Sequence, residues 1–183
     1  MSNLLNIVDE NDEIIGQETR ANIHERGLRH REVYVYFITP QHEMIVQRRA
    51  KNKDVFPGLL DAAVGGHVEI GQSYEETALR EIEEETGIKI SQADLMIIEK
   101  IKNHLLDEVT GKINRAFQTE YLYLYKGKIA DLQVEAGEAS GFEIYPLSRL
   151  KNLDEKERAK FTPHTINLIE RTDWLNLLKN YPV

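Results

Sequence analysis

The hydrophobic residues of this chain recur with two periods, and the shorter one predicts a series of β-strands. Segments 33–39 (VYVYFIT) and 43–49 (EMIVQRR) are rich in β-branched and aromatic residues and are separated by the turn Pro40-Gln41-His42. This composition is typical of paired strands. The same character predicts two short strands around a polar turn in NIVDENDEIIGQ (6–17), and further strands at 59–64, 94–101, 116–126 and 142–147.

Helical spacing appears in three other segments. A short helix is expected through RANIHERG (20–27), where Gly27 would end it. A longer helix is expected at 73–87, and a last one within 160–180 after the start signal Thr162-Pro163. Strands forming a mixed sheet around such helices predict an α+β fold of the α/β/α sandwich type. No repeat or linker divides the chain, so we expect a single domain over 1–183, including the N-terminal strands (1–30) and the C-terminal helix.

Composition and charge narrow the classes of partner. The 183 residues include 31 acidic and 23 basic side chains, which gives a formal charge of -8. Duplex nucleic acid and anionic membranes would therefore be repelled on average, and an anionic substrate would need a local basic patch or a bridging metal ion. The sequence has no cysteine, which excludes disulfides, thiolate zinc sites and cysteine nucleophiles.

The sequence gives no sign of export or membrane insertion. The first residues, MSNLLNIVDENDE, lack the basic start and long apolar run of a signal peptide. No later segment approaches the roughly 20 apolar residues of a membrane span. A cytoplasmic location is therefore expected, with a homodimer possible.

The helix at 73–87 carries signals for both of its ends. Ser73 followed by Glu76 is a capping-box pattern, and Gly87 is the residue expected just past the C-terminus. These signals place the helix from about Tyr74 to Thr86.

Within this helix the sequence REIEEETG gathers acidic side chains on one face. At about 100° per residue, Glu81, Glu84 and Glu85 fall within an arc of about 100°, whereas Glu83 lies elsewhere. Like charges one turn apart destabilise a helix, and a bound divalent cation would reverse that effect. A solvated, glutamate-rich helix surface is the alternative interpretation of the same run.

The residues around this run resemble the signature of the Nudix hydrolases. That signature reads G, five residues, E, seven residues, RE, an apolar residue, any residue, EE, any residue, G and an apolar residue. Here its fixed positions are occupied by Gly66, Gln72, Arg80-Glu81, Ile82, Glu84-Glu85 and Gly87-Ile88. Every position matches over 23 residues except Gln72, which stands where the family usually has glutamate.

The resemblance implies a Nudix fold and a hydrolase that uses Mg²⁺ or Mn²⁺ to cleave a diphosphate linkage in a nucleoside diphosphate linked to another moiety. By position, Glu84 and Glu85 would be metal ligands, and Glu81 a ligand or the general base. Arg80 would orient a glutamate, and Gly66 would let the backbone approach the metal. The neutral Gln72 raises the question of how many further ions the site can hold.

A second resemblance, over most of residues 7–90, is to the Nudix subgroup of isopentenyl-diphosphate isomerase. His30 and His67 correspond to metal-binding histidines of that enzyme, and His24 lies close to a third. Arg49 and Lys53 correspond to its diphosphate-binding side chains. We therefore expect Arg49, Lys53 and His67 to contact substrate, with His67 also a candidate metal ligand.

Three functions follow from these resemblances. Hydrolysis is favoured because the hydrolytic signature is nearly complete. An isomerase-like enzyme is the first alternative, although Gly65 occupies the position of its catalytic cysteine and Ala116 falls near its catalytic glutamate. A non-catalytic ligand-sensing module is the second, which Gln72 makes more conceivable. Many Nudix enzymes have an extra acidic residue in the loop before the last strand. Here that loop is EAGEAS (135–140), and Glu138 or Glu135 could supply the acid.

Overall fold

The computed structural model describes residues 4–179 and residue 181 of the chain. Nine strands are present in the described part: β1 (Leu4–Val8), β2 (Ile14–Thr19), β3 (His30–Ile38), β4 (Glu43–Arg49), β5 (Leu60–Asp61), β6 (Val64–His67), β7 (Leu95–Leu106), β8 (Ile113–Leu124) and β9 (Ala139–Pro146). The α-helices of this part are α1 (Arg20–Arg26), α2 (Tyr74–Thr86), α3 (Leu147–Leu150), α4 (Glu155–Arg158), α5 (Pro163–Arg171) and α6 (Trp174–Lys179).

The strands form a mixed seven-stranded sheet and a separate hairpin. The main sheet has the order β5-β4-β3-β8-β7, with β6 also paired to β3 and β9 to β4. Strands β3 and β8 run parallel, and the other pairs run antiparallel. The hairpin is β1 with β2. The predicted mixed sheet is confirmed.

Alternation along β3 creates the two layers that cover the sheet. Val33, Val35 and Phe37 belong to the apolar cluster that contains Ala78 and Ile82 of α2. The intervening Tyr34, Tyr36 and Ile38 belong to a second cluster that includes Leu168, Ile169 and Trp174 of the C-terminal helices. Because successive side chains of a strand point to opposite faces, one strand contributes to both cores. The α/β/α sandwich predicted from the sequence is thus confirmed.

Helix α2 begins and ends where its sequence predicts. The Ser73 hydroxyl accepts from the Glu76 amide at 3.1 Å, and the Glu76 carboxylate accepts from the Ser73 amide at 2.8 Å. Gly87 has φ 72°, a left-handed conformation that a residue with a side chain rarely adopts. These two signals are local, so they fix where the helix begins and ends.

Two predicted elements differ from the structure. The single strand expected at 59–64 is two short strands, because β5 pairs with β4 whereas β6 pairs with β3. The single helix expected within 160–180 is two helices, α5 and α6, and Thr172 between them is extended at φ -87° and ψ 127°. The predictions also include residues 1–3, 180 and 182–183, which lie outside the described residues. Among the described helices, none has the length and apolar character needed to cross a membrane.

Candidate functional site

A cavity of about 610 Å³ opens beside α2 and β6. Carboxylates and cations both line it, the former from Glu32, Glu69, Glu81, Glu84, Glu135 and Glu138, and the latter from Arg20, Arg49 and Lys53. Aliphatic residues complete its wall, including Leu4, Leu5, Val55 and Ile70. This volume is in the range of small-molecule sites, and the mixture of charges suits an anionic ligand held together with cations.

The predicted acidic residues of α2 lie at two depths. Glu81 and Glu84 line the cavity, whereas Glu85 lies behind them with 2% of its surface exposed. The Glu85 carboxylate accepts a hydrogen bond from the Gln47 side chain and, at 3.2 Å, from the Gly65 amide. Glu83 is exposed on another face and pairs with Lys89. The predicted separation of Glu83 from the other three is confirmed.

Arg80 holds the two cavity-lining carboxylates of the helix. Its guanidinium donates to Glu81 Oε1 at 2.7 Å and to Glu84 Oε2 at 2.5 Å. Gln72 supports this arginine, because its Oε1 lies 3.4 Å from Arg80 Nε and accepts from the Thr77 hydroxyl at 2.9 Å. The residue that departs from the Nudix signature therefore contacts Arg80 and the start of α2, and is not among the residues that line the cavity.

Gly66 is where the backbone of β6 meets the Glu81 side chain. A Cβ placed on Gly66 would lie 2.1 Å from Glu81 Oε1 and 2.3 Å from its carboxyl carbon. Any side chain at position 66 would therefore displace the Glu81 carboxylate. The structure thus shows a close approach of Gly66 to the Glu81 side chain, whereas the expected approach of its backbone to a metal stays a prediction.

Burial and mutual repulsion change the acidity of these carboxyls. Burial, opposed by Arg80 and reinforced by Glu84 and Glu138, raises the pKa of Glu81 to about 7. Burial and the nearby Glu81 also raise the pKa of Glu85. Deprotonating both groups in the metal-free protein is therefore unfavourable, and a cation would relieve the repulsion.

The two basic residues expected to bind diphosphate reach the same cavity but differ in their surroundings. Arg49 donates to the carbonyls of Phe56 and Val55 at 3.1 and 2.9 Å, and to Asp61 Oδ2 at 2.9 Å. Lys53 forms an ion pair with Glu138, one of the two predicted extra acids. A bound anion would meet a rigid guanidinium at Arg49 and would compete with Glu138 for Lys53.

The structure also assembles a cluster of three histidines and one carboxylate. One potential ligand atom from each of His24, His30, His67 and Glu32 lies within 4.8 Å of the others. The imidazole nitrogens His24 Nε2 and His67 Nε2 are 3.2 Å apart. Glu32 Oε1 lies 3.3 Å from His30 Nε2 and 3.5 Å from His67 Nε2. Because His67 and Glu32 also line the cavity, this cluster adjoins the space that the α2 carboxylates line.

The surroundings of His24, His67 and Glu32 shift their pKa values toward the forms that bind metals. Burial, with a smaller effect of His30, lowers the pKa of His24 to about 4. Burial also lowers the pKa of His67. For Glu32, burial alone would raise the pKa, but hydrogen bonding and charge from His30 hold it well below its usual range. Neutral imidazoles and an ionised carboxylate are the species that ligate metal ions.

Glu32 is the member of this cluster that sequence reasoning missed. It lies two residues after His30, so both side chains point to the same face of β3. In the antiparallel pair of β3 and β6, Glu32 is directly opposite His67. The alternation of His30 and Glu32 was visible in the sequence, but the pairing register was not.

The donor sets fit metal binding at both places. The α2 site offers carboxylate oxygens from Glu81 and Glu84, which line the cavity. Glu85, which is buried behind them, adds a third carboxyl whose pKa is raised. Such oxygen donors suit Mg²⁺ or Mn²⁺. The histidine cluster offers imidazole nitrogens and one carboxylate, which suit a transition metal ion.

The sandwich and its loop–helix–loop site define a protein of the Nudix class. The family model described as the NUDIX domain matches residues 28–165. The chain belongs to the Nudix family.

Individual relatives agree with this assignment. The uncharacterized Nudix hydrolase SCO1686 of Streptomyces coelicolor is 50% identical over 84 residues, which is 46% of this chain and 46% of that protein. The chain thus matches about half the length of such curated relatives. The uncharacterized Nudix hydrolase CA_C0446 of Clostridium acetobutylicum is 31% identical over 158 residues, or 83% of this chain and 74% of that protein.

Solved structures agree on the fold. The crystal structure of DR0079 from Deinococcus radiodurans superposes with a TM-score of 0.72 at 24% identity. The match covers 92% of this chain and 98% of that one.

The raised pKa of Glu81 predicts a stability change that depends on pH. In the metal-free protein, Glu81 keeps its proton up to about pH 7, whereas the unfolded chain releases it near the usual value of 4.5. The free energy of unfolding should therefore fall as pH rises between these two values. Glu81→Gln removes the penalty, so with a chelator at pH 8 the variant should be more stable than wild type by roughly 1–3 kcal/mol. At pH 5 the difference should be small.

Denaturant unfolding at the two pH values measures this effect. Glu83→Gln is the matched control, because Glu83 is exposed on the same helix and outside the cavity. A Glu81→Gln protein that is less stable than wild type at pH 8 would contradict the assignment of a buried, repelled carboxylate.

Proposed function

We propose that the chain is a divalent-metal-dependent hydrolase that cleaves the diphosphate linkage of a nucleoside diphosphate joined to another moiety. The observation that carries this proposal is a cavity lined by Glu81 and Glu84 of α2 and by the predicted diphosphate-binding residues Arg49 and Lys53. Diphosphate cleavage depends mainly on neutralising the nonbridging oxygens and positioning a nucleophile. The cavity contains basic side chains suited to the first task and carboxylates suited to the second.

The residues of the chain take the following roles in this proposal. Glu84 and Glu85, beside the Gly66 backbone, would hold Mg²⁺ or Mn²⁺, which when bound neutralises phosphate charge and makes water more acidic. Glu81 would be either a further ligand or the general base that accepts a proton from the attacking water. Arg80 fixes Glu81 by its 2.7 Å hydrogen bond.

The basic residues bind the other end of the linkage. Arg49 presents a guanidinium whose orientation is fixed by three protein acceptors, and Lys53 adds a second positive charge. Arg49 can bind a phosphate group through two parallel hydrogen bonds, whereas Lys53 acts as a point charge. The positive charges of these two residues thereby offset the repulsion between the diphosphate and the acidic residues of the same cavity.

An isomerase-like enzyme is the second candidate, because the histidine cluster agrees with the resemblance to isopentenyl-diphosphate isomerase. Its acid-base pair is nevertheless missing at the corresponding positions, where this chain has Gly65 and Ala116. A Cβ on Gly65 would lie 2.8 Å from the Tyr34 ring. The local packing is therefore built around a glycine, and even a cysteine would require Tyr34 to move.

A non-catalytic ligand-sensing module is the third candidate and was suggested by Gln72. In the structure this glutamine supports Arg80, so it retains a role in orienting the α2 carboxylates. That role fits a hydrolytic site and weakens the argument for a pure sensor.

Removing one ligand charge tests the carboxylate site directly. Glu85→Gln should abolish most turnover while the fold is retained, because it replaces a buried carboxylate by an amide of nearly the same volume. We expect a loss of about 100-fold or more in kcat at saturating Mg²⁺. Steady-state kinetics provide the measurement, with Glu83→Gln as the control on the same helix. Equal activity of Glu85→Gln and wild type would remove Glu85 from the site.

A substrate panel separates the three functions. Wild-type protein should release phosphate-containing products from some member of a set such as ADP-ribose, a diadenosine polyphosphate and a nucleotide sugar, and only with Mg²⁺ or Mn²⁺ present. Product isomers of an isoprenoid diphosphate, formed without phosphate release, would support the isomerase instead. A thermal shift with a ligand but no turnover across the panel would support the sensor.

We further infer that His24, His30, His67 and Glu32 form a transition-metal site beside the α2 carboxylates. This inference is supported by the resemblance of the histidines to metal ligands of the isomerase and by their convergence within 4.8 Å. In this assignment His67 is a metal ligand at the cavity wall. That role replaces direct substrate binding as our preferred role for His67.

Metal analysis tests the histidine site. His30→Gln should lower the content of tightly bound Mn²⁺ or Zn²⁺ by about one ion per chain, because it removes one of four converging ligands. His104→Gln is the control, since His104 is exposed on β7. Equal metal content in wild type and His30→Gln, measured after dialysis against each metal, would contradict the site.

A further inference from the structure

The Arg49 guanidinium is held from behind by a carboxylate that does not reach the cavity. Asp61 is 2% exposed, and its Oδ2 accepts from Arg49 at 2.9 Å. The remaining acceptors of Arg49 are backbone carbonyls of the 55–56 loop. Asp61 is thus the charged group of the described structure that sets the direction of this cation.

Asp61 is in turn fixed by the start of the C-terminal helix α5. Its other oxygen, Oδ1, lies 3.0 Å from the hydroxyls of both Thr162 and Thr165 and 2.5 Å from His164 Nε2. Burial alone would raise the pKa of Asp61, but His164 and Arg49 together hold it well below its usual range. The carboxylate is therefore an ionised, fully bonded link between α5 and Arg49.

Backbone pairing and ring contact strengthen this link. The Leu60 amide donates to the Lys160 carbonyl at 2.7 Å, and the Thr162 amide donates to the Leu60 carbonyl at 2.8 Å. The ring of His164 lies 4.1 Å, between centroids, from the ring of Tyr34, which lines the cavity. The start of α5 thus contacts two groups of the cavity wall, Arg49 through Asp61 and Tyr34 directly.

We propose that Asp61 and His164 are positioning residues for the diphosphate group, acting through Arg49. This inference rests on the proposed function for the identity of the ligand, and it adds the C-terminal helix to the machinery that binds it. Neither residue touches the ligand. Their role is to hold the guanidinium in one orientation, so that its free N–H groups bind phosphate oxygens without first having to be ordered.

A second buried ion pair of the same helix offers an internal comparison. Arg171, at the other end of α5, pairs with Glu120 of β8, whose side chain is fully buried. Glu120 is not among the cavity-lining residues. Both links join α5 to a buried carboxylate of the sheet, but only the Asp61 link leads to a group that faces the cavity.

The test is binding of imidodiphosphate, the hydrolysis-resistant analogue of inorganic pyrophosphate, by calorimetry in the presence of Mg²⁺. Asp61→Asn should weaken the affinity of the protein for imidodiphosphate about tenfold. A coupling of this size is typical of two residues in direct contact, as Asp61 and Arg49 are. Glu120→Gln, which removes the carboxylate that pairs with Arg171, should leave that affinity unchanged. In an Arg49→Met background, Asp61→Asn should cause no further loss, because the group through which it acts is gone.

His164 supplies an independent pair of variants if Asp61→Asn does not fold. His164→Phe removes the nitrogen that contacts Asp61 and should weaken affinity. His164→Gln can present its amide nitrogen to the carboxylate and should restore much of it. If His164 served only to fill space, His164→Gln would not bind imidodiphosphate more tightly than His164→Phe.

Several results would overturn the proposal. These are wild-type affinity in Asp61→Asn, an equal loss in Glu120→Gln, or an additive loss in the Arg49→Met background. Failure of wild type to bind imidodiphosphate would also overturn it, whatever the panel shows. If wild type binds the analogue with the expected pattern but hydrolyses no panel compound, the positioning role stands and the proposed hydrolase activity falls.

Discussion

The confinement of the Glu81 and Glu85 carboxyls is the constraint on which the site depends. Both belong to one face of α2, and Glu85 lies almost without exposure behind Glu81. Unpaired carboxylates are costly to bury, and the raised pKa of each group reflects that cost. The chain offsets it in part with Arg80, the Gln47 amide and the Gly65 amide. What remains is a local negative charge that a divalent cation would neutralise, so the repulsion that destabilises the metal-free site would favour a bound cation.

The main sheet places the α2 carboxylates close to a second group of polar side chains, those of β3 and β6. On β3, Val33, Val35 and Phe37 pack on the side of α2, whereas the opposite face carries His30, Glu32 and Tyr34 before it continues into the second core. Period-two alternation thus lets one strand contribute to both cores and also present polar side chains at its start. Strand β6 pairs with the first half of β3, and its consecutive residues Gly66 and His67 contact different groups. Gly66 lies against Glu81, and His67 lies opposite Glu32. Two candidate metal sites consequently share a wall, although their ligands come from elements distant in sequence.

Local signals made the fold class and the carboxylate site predictable, and long-range pairing limited the rest. Helix α2 was placed correctly because Ser73, Glu76 and Gly87 act within one turn of its ends. The composition of segment 59–64 predicts one strand, because it does not reveal that the chain changes partner between Asp61 and Val64. The contact of Asp61 with Thr165 spans 104 positions, and no periodic pattern in the sequence predicts it. Local patterns therefore do not identify residues whose roles depend on strand register or on such long-range contacts.

Gln72 shows why a departure from a family signature must be judged by its contacts. From sequence, the loss of an acid at this position suggested fewer metal ligands and a weaker case for catalysis. In the structure the Gln72 amide oxygen accepts from Thr77 and lies 3.4 Å from Arg80, the residue that orients Glu81 and Glu84. A neutral acceptor there leaves more of the positive charge of Arg80 available to those two carboxylates than a glutamate would. The substitution therefore acts on the orientation of the acidic face and leaves Glu81, Glu84 and Glu85 in place as a donor set.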